Sequence, residues 1–124
     1  MNENKKFTIL IVDDSSIIIK RVTGIIKDLS NTGTILHAFN YVKALQLVNQ
    51  FSPQIVLLDI HLPDKSGVEV LRHIKENQLP ITVIMLTNQS EEYYKTLCKE
   101  IGADYFIDKS SGFEEIPGII NSLQ

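Results

Sequence analysis

The chain has 124 residues, of which 44% are hydrophobic and 22% are charged, an ordinary composition for one globular domain. Its net charge of −3 at pH 7 argues against nucleic-acid binding, which depends on basic residues that neutralise phosphates. The sequence lacks an apolar stretch near the roughly 18 residues of a membrane span, and its single cysteine, Cys98, has no partner for an intrachain disulfide. We expect one domain over residues 1–124, monomeric, in the reducing cytoplasm, with no nucleic-acid or membrane partner.

Five apolar runs along the chain predict β-strands. In chain order, the runs are Phe7–Val12, Thr34–Phe39, Ile55–Leu58, Ile81–Leu86 and Tyr105–Ile107. The second run is weaker and is typical of an edge strand. The others are continuous rather than alternating, which indicates strands that are covered on both faces.

Segments with apolar residues at helical spacing follow each predicted strand. These helical stripes begin at Ile18, Tyr41, Val68, Tyr94 and Phe113. The candidate N-caps are Ser15, Asn40, Ser90 and Ser111, the last of which is placed to form a capping box with Glu114. Pro117 lies inside the last stripe, which predicts that this helix begins late or is kinked.

Strands that alternate with helices are typical of an α/β fold with a parallel sheet and helices on both faces. We therefore predict a doubly wound (βα)5 flavodoxin-like three-layer sandwich, with the strand order 2-1-3-4-5 that is common in such small sheets. In that order the chain reverses direction between strands 1 and 3. Ligands in sheets of this kind bind at the carboxyl ends of the strands beside this point.

Three carboxylates follow the strands at the predicted reversal point. Asp13 and Asp14 come after strand 1, and Asp59 comes after strand 3. Taken singly, each could cap a helix or close a turn. Together they would repel one another and raise each other's pKa unless a cation neutralised them. Carboxylate oxygens with room for water suit Mg²⁺ better than zinc or calcium, so the sequence predicts a magnesium site.

Two further polar residues end strands on the same edge. Thr87 ends the fourth strand, and Lys109 follows the fifth. Alone, the lysine could be a solvated loop cation. Beside an acidic metal site, a lysine and a hydroxyl supply donors for the oxygens of a phosphoryl group.

This arrangement resembles the receiver domain of bacterial two-component response regulators, and most of all the single-domain chemotaxis and phosphorelay proteins. The resemblance covers the whole chain and implies one receiver domain over residues 1–124 with no output domain. The residues that carry it are Val12-Asp13-Asp14-Ser15, the stretch from Asp59 to Gly67, Leu86-Thr87 and the stretch from Gly102 to Lys109.

The resemblance implies that Asp59 accepts a phosphoryl group from a histidine kinase or a histidine phosphotransfer protein. Asp14 and Asp59 would bind Mg²⁺ directly, Asp13 would bind it through water, and the backbone carbonyl of His61 would add another oxygen. Lys109 and Thr87 would contact the phosphoryl oxygens. The protein would be a signalling protein that catalyses its own phosphorylation and dephosphorylation, rather than an enzyme acting on other substrates.

Other positions are assigned through the same resemblance. Thr87 and Phe106 would form a switch that passes the phosphorylation state to a downstream target protein. His61, Asn88 and Gln89 occupy positions that influence how fast water removes the phosphoryl group. Because Asn88 is larger than the Ala or Gly that is usual there, we expect slow labelling by small phosphodonors.

Two features can be tested by structure. Ser110 follows Lys109 where the family usually has a proline in a cis peptide bond, so we expect a trans bond and a differently shaped loop. Three successive isoleucines, at residues 17–19, cover more helix circumference than one sheet can bury, so at least one should be exposed. An exposed isoleucine there would fit the docking of a kinase or phosphotransfer protein.

Two alternative functions are open. One is a receiver-like interaction module that works without phosphorylation, although such chains tend to lose the acidic pair or the lysine. The other is a phosphatase with an aspartate nucleophile, a class that needs Asp-x-Asp near the amino end. Here Asp59-Ile60-His61 comes late and lacks the second aspartate. The sequence does not decide between a phosphate relay, a phosphate sink and direct binding to a target.

Overall fold

A five-stranded parallel sheet forms the centre of the computed structural model, which describes residues 6–88 and 90–123. Its strands are β1 (Phe7–Val12), β2 (Thr32–Ala38), β3 (Ile55–Asp59), β4 (Thr82–Thr87) and β5 (Tyr105–Asp108). They lie in the order β2-β1-β3-β4-β5, and every neighbouring pair is parallel. The predicted fold class and strand order are confirmed, with β2 at an edge as expected.

Helices cover both faces of the sheet. They are α1 (Ser16–Ile26), α2 (Tyr41–Phe51), α3 (Gly67–Glu76), α4 (Glu92–Ile101) and α5 (Ile116–Ser122), with a 3-10 helix at Phe113–Glu115. None of the helices within the described ranges has the length and apolar character needed to cross a bilayer.

Two hydrophobic clusters hold the three layers together. Residues from α2, α3 and α4 pack on one face of the sheet, and residues from α1 and α5 pack on the other. Because successive strand residues point to opposite faces, Leu10 and Val12 of β1 join the first cluster, whereas Ile9 and Ile11 join the second. Cys98 is buried in the first cluster, where burial raises its pKa to about 11.

The structure confirms two of the predicted helix caps. The side chain of Ser15 accepts the N–H of Ile18 at the start of α1, and the side chain of Asn40 accepts the N–H of Lys43 at the start of α2. Helix α5 begins only at Ile116 and places Pro117 in its first turn, as its sequence predicts. Proline is tolerated there because the first N–H groups of a helix have no partner inside the helix.

The other two predicted caps are wrong. Helix α4 has Glu91 rather than Ser90 at its N-cap, and no side chain caps it, because the carboxylate of Glu91 is bonded elsewhere. Ser111 caps no helix, because the 3-10 helix that follows has Gly112 at its N-cap. The N–H groups of Ser111 and Gly112 both bond to the carbonyl oxygen of Asp108. The chain thus closes a turn after β5 before the 3-10 helix begins at Phe113.

Gly67 fixes the loop between β3 and α3. Its N–H donates to the carbonyl oxygen of Ile60 at 2.6 Å. A Cβ at this position would overlap the carbonyl oxygen of Asp59 and lie 3.0 Å from the carbonyl carbon of Asp59. The start of α3 therefore abuts the main chain at the end of β3, and only glycine fits this approach.

We expect Gly67→Ala to lower the free energy of unfolding by about 1 to 3 kcal/mol, because the added methyl group forces the main chain of β3 and α3 apart. Urea denaturation measures this change. Gly24→Ala is the matched control, since a Cβ at Gly24 of α1 has no heavy atom within 4 Å. That variant should gain roughly 0.5 to 1 kcal/mol from the higher helix propensity of alanine. Equal stability of the two variants would contradict the steric argument.

Candidate functional site

Three carboxylates meet at the carboxyl ends of β1 and β3. Asp13 follows β1 and Asp59 ends β3, and these strands are neighbours in the sheet. One carboxylate oxygen from each of Asp13, Asp14 and Asp59 lies within 4.8 Å of the others. Asp13 is fully buried and Asp59 is 5% exposed, whereas Asp14 is exposed. The acidic group therefore opens to solvent on the side of Asp14.

Lys109 lies between the two buried carboxylates. Its Nζ atom is 2.9 Å from Oδ2 of Asp13 and 3.3 Å from Oδ1 of Asp59. Its backbone N–H donates to the carbonyl oxygen of Thr87 at 2.8 Å, which ties the residue after β5 to the end of β4. The lysine is therefore held by main chain and side chain at the same edge of the sheet as the carboxylates.

The charges of the site fit a divalent cation. Three carboxylates and one ammonium group leave a formal charge of −2 in a largely buried place. Oxygen ligands with one exposed side are typical of Mg²⁺, which keeps several waters. The residues present thus suit the metal that the sequence predicts.

The same environment shifts two ionisation equilibria. Burial raises the pKa of Asp59, and the negative charge of Asp13 raises it further, to about 6, although Lys109 acts in the opposite direction. Burial disfavours the charged form of Lys109, but its hydrogen bond to Asp13 and the charge of Asp59 outweigh burial and raise the pKa of the lysine. Lys109 is therefore a cation at neutral pH, and the ionised form of Asp59 is costly without a further positive charge.

Thr87 and Phe106 line one cleft of about 260 Å³ on the β4 and β5 side of the site. Thr87 is 6% exposed, and its hydroxyl donates to the carbonyl oxygen of Ile107 at 3.4 Å. Phe106 is half-buried, and Nζ of Lys95 lies 5.7 Å from the centre of its ring. The two residues are thus close to each other, and their role as a switch stays a prediction.

His61 lies directly beside Asp59. Its backbone N–H bonds to the Asp59 carboxylate, and its imidazole, whose side chain is 59% exposed, contacts the carboxylate of Glu91. Asn88 follows Thr87 and is exposed. The third residue predicted to influence hydrolysis, Gln89, lies outside the described residues.

Glu91 is a residue of this site that was not predicted from the sequence. It lies four positions after Thr87, and a contact with a residue thirty positions earlier leaves no local pattern. Asp64 was not predicted either; its carboxylate accepts the N–H groups of Tyr41 and Val42 and so holds the loop after β3 against the start of α2.

The peptide bond between Lys109 and Ser110 is trans, as predicted. The other peptide bonds of the described residues are also trans. Oδ1 of Asp108 accepts the backbone N–H of Ser110 at 2.8 Å and its hydroxyl at 2.6 Å. These two hydrogen bonds shape the turn that leads away from the lysine.

The three isoleucines at the start of α1 divide as predicted. Ile17 is 74% exposed and Ile19 is 6% exposed, and Ile18 is intermediate. An apolar side chain therefore projects into solvent in the first turn of α1, three residues after Asp14.

Comparison with known proteins gives a consistent result. Residues 9–121 match the family model of the response regulator receiver domain. The chain is 33% identical to a protein-glutamate methylesterase/protein-glutamine glutaminase of Treponema denticola, covering 86% of this chain and 29% of that protein. It is 31% identical to the alkaline phosphatase synthesis transcriptional regulatory protein of Bacillus subtilis, covering 97% of this chain and 48% of the relative.

A solved structure agrees with these relatives. The crystal structure of a DNA-binding response regulator of the LuxR family from Staphylococcus aureus superposes with a TM-score of 0.85 at 26% identity, covering 94% of this chain and 97% of that one. The chain spans less than half the length of the two curated relatives above. The esterase and transcriptional activities in those names belong to the longer proteins.

We expect Asp59→Asn to stabilise the protein in EDTA above about pH 6. The pKa of Asp59 is about 6 in the folded protein, against an ordinary value of 3.8. Between these two pH values the unfolded chain releases the proton of Asp59 more easily than the folded protein does. The free energy of unfolding therefore falls by up to about 3 kcal/mol as the pH rises, and a protein with asparagine at this position does not have this loss. Urea denaturation at several pH values measures the difference, which should disappear as the pH falls towards 4.

The exposed Asp28 provides a control for this measurement. Asp28→Asn also removes one carboxylate, but from a place with access to water, so its stability should follow that of the unmodified protein. An Asp59→Asn variant that gains nothing at about pH 8 would contradict the cost assigned to the buried charge.

Proposed function

This chain belongs to the response regulator receiver domain family, and we propose that it accepts a phosphoryl group on Asp59 and signals through contacts with other proteins. The observation that carries the proposal is the position of Lys109, within 3.3 Å of Asp59 and 2.9 Å of Asp13 beside a third carboxylate. That arrangement presents a nucleophile, a fixed cation and a group of metal ligands together.

In the proposed reaction a carboxylate oxygen of Asp59 attacks the phosphorus atom of a phosphohistidine or an acyl phosphate. A bond forms between this oxygen and phosphorus, and the bond from phosphorus to the donor's nitrogen or oxygen breaks. The electron pair stays with the leaving group, which takes up a proton from solvent where its basicity requires one. The product is an acyl phosphate on Asp59.

The side chains around Asp59 have distinct tasks in this proposal. Lys109 is already oriented by Asp13, and its ammonium group would bind an oxygen of the phosphoryl group. The hydroxyl of Thr87 would leave the carbonyl oxygen of Ile107 to donate to another phosphoryl oxygen. That movement would open space for Phe106 at the shared cleft and alter the surface formed by β5 and α4.

Asp13, Asp14 and Asp59, with the backbone carbonyl of His61, are the groups that would hold Mg²⁺. When bound, the ion would neutralise the carboxylates and the charge on the phosphoryl oxygens, which is the main need in phosphoryl transfer. The raised pKa of Asp59 supports this assignment, because a site that disfavours its own negative charge gains most from a cation.

The proposed partners are proteins. A histidine kinase or a histidine phosphotransfer protein would supply the phosphoryl group, and Ile17, 74% exposed at the start of α1, would contact the donor's surface. A downstream protein would read the changed surface near Phe106. The absence of a nucleic-acid partner stays a prediction from the net charge of −3.

We expect incubation with Mg²⁺ and acetyl phosphate, or with a histidine kinase, to add one phosphoryl group to the chain. The addition should require both the metal and Asp59, so Asp59→Asn or EDTA should abolish it. Intact-mass spectrometry measures the addition. Asp28→Asn is the control, since it removes an exposed carboxylate and should still accept one phosphoryl group. Phosphorylation that persists in Asp59→Asn would place the acceptor elsewhere. A folded protein that binds Mg²⁺ but accepts no phosphoryl group from either donor would favour the phosphorylation-independent module.

We expect Asn88→Ala to accelerate labelling by acetyl phosphate several-fold, about three- to tenfold, because a smaller side chain beside Thr87 widens the approach to Asp59. The backbone N–H of Asn88, which donates to Glu91 at 2.9 Å, is retained in this variant. Time courses of intact mass measure the rate. An unchanged rate would show that the Asn88 side chain does not limit access.

A further inference from the structure

Glu91 joins two loops that follow neighbouring strands. Its Oε1 atom accepts the backbone N–H of Asn88 at 2.9 Å, and its Oε2 atom contacts Nε2 of His61. The side chain of Glu91 is only 10% exposed, although a lone carboxylate favours water. The partners that replace water are therefore the loop after β4 and the imidazole of the loop after β3.

A second contact holds the imidazole of His61 from the same helix. The ring of Tyr94, in the first turn of α4, meets it edge to face with centroids 5.5 Å apart and planes at 86°. Such edge-to-face pairs contribute to stability beyond simple burial of area. The side chain of His61 is thus fixed on one side by a carboxylate and on another by an aromatic ring.

These contacts lie over the edge of the sheet that carries Asp59. In the ladder between β3 and β4, Asp59 is opposite Leu86, so the loops after both strands begin at the same edge of the sheet. The backbone N–H of His61 bonds to that carboxylate, and Asn88 directly follows Thr87. The link from His61 to Glu91 therefore spans the gap between the two loops beside Asp59.

We propose that His61 and Glu91 form a clasp that restricts the approach of small phosphodonors and of water to Asp59, an inference that rests on the phosphoacceptor function proposed above. When Asp59 is phosphorylated, the small phosphodonor must approach the Asp59 carboxylate. In dephosphorylation, a water oxygen attacks phosphorus, the bond from phosphorus to the Asp59 oxygen breaks, and inorganic phosphate and a proton leave.

The clasp separates small reactants from protein donors. A protein that docks on this edge can use the free energy of its binding surface to separate His61 from Glu91, whereas acetyl phosphate and water have little binding energy to use in that way. The clasp thus makes Glu91 a specificity-determining residue. It favours phosphoryl transfer from a protein and lengthens the lifetime of the acyl phosphate.

The first test compares Glu91→Ala with Glu100→Ala, which removes the same charge from an exposed residue in the last turn of α4. We expect Glu91→Ala to increase both the rate of labelling by acetyl phosphate and the rate of phosphoryl loss by about three- to tenfold, the size expected from the net contribution of one hydrogen bond. Glu100→Ala should change neither rate. The affinity for Mg²⁺, measured by calorimetry, should be unchanged in both variants, which separates access from damage to the metal site.

The second test is a double-mutant cycle with His61→Phe, which keeps a flat ring beside Tyr94 but removes the nitrogen that contacts Glu91. If the clasp acts as proposed, Glu91→Ala accelerates labelling less in the His61→Phe background than in the unmodified protein. Additive effects, or an unmodified protein that is labelled as fast as Glu91→Ala, would overturn the clasp. Failure of the unmodified protein and of every variant to be labelled by any donor would instead overturn the phosphoacceptor function on which it rests.

Discussion

Lys109 lies between the buried carboxylates of Asp13 and Asp59, and the site depends on this contact. A parallel sheet brings the carboxyl ends of its strands to one edge, but the carboxylates that follow these strands would repel one another without a cation among them. The lysine supplies one positive charge and leaves a formal −2 for an ion to neutralise. The repulsion among the carboxylates destabilises this edge of the sheet, and the packing of the apolar layers on both faces offsets that cost.

Much of this arrangement could be predicted from the sequence because each part has a local signal. The central strands are continuous apolar runs, and each of the acidic residues, Thr87 and Lys109 lies at or just after a strand end. Once the strand order is known, these ends are known to be adjacent. Ser15 and Asn40 could be identified as caps because their bonding partners lie three residues away. The features that could be predicted are therefore those with a short-range sequence pattern and those that follow from the strand order.

The remaining features depend on contacts between loops. Glu91 meets His61 across thirty residues, and Asp64 reaches Tyr41 across twenty-three, so neither pair has a periodic or short-range pattern. The same contacts explain the wrong caps. Ser90 has the side chain of a good N-cap, but the helix begins one residue later, where the Glu91 carboxylate is engaged by a distant loop. At Ser111 the turn around Asp108 takes precedence over a capping box.

The close approach of Gly67 to Asp59 makes the two sides of the site different: α3 packs tightly against Asp59 on one side, and β4 and β5 border a cleft on the other. Because α3 begins against the main chain of Asp59, a displacement of α3 would move the Asp59 carboxylate with it. On the opposite flank, the hydroxyl of Thr87 makes one long hydrogen bond, and Phe106 lies beside an open cleft. If Asp59 is phosphorylated as proposed, the resulting movement would therefore be accommodated more easily toward β4, β5 and α4 than toward α3. In the proposed function, Gly67 would thus set the direction of the conformational change without contacting the phosphoryl group itself.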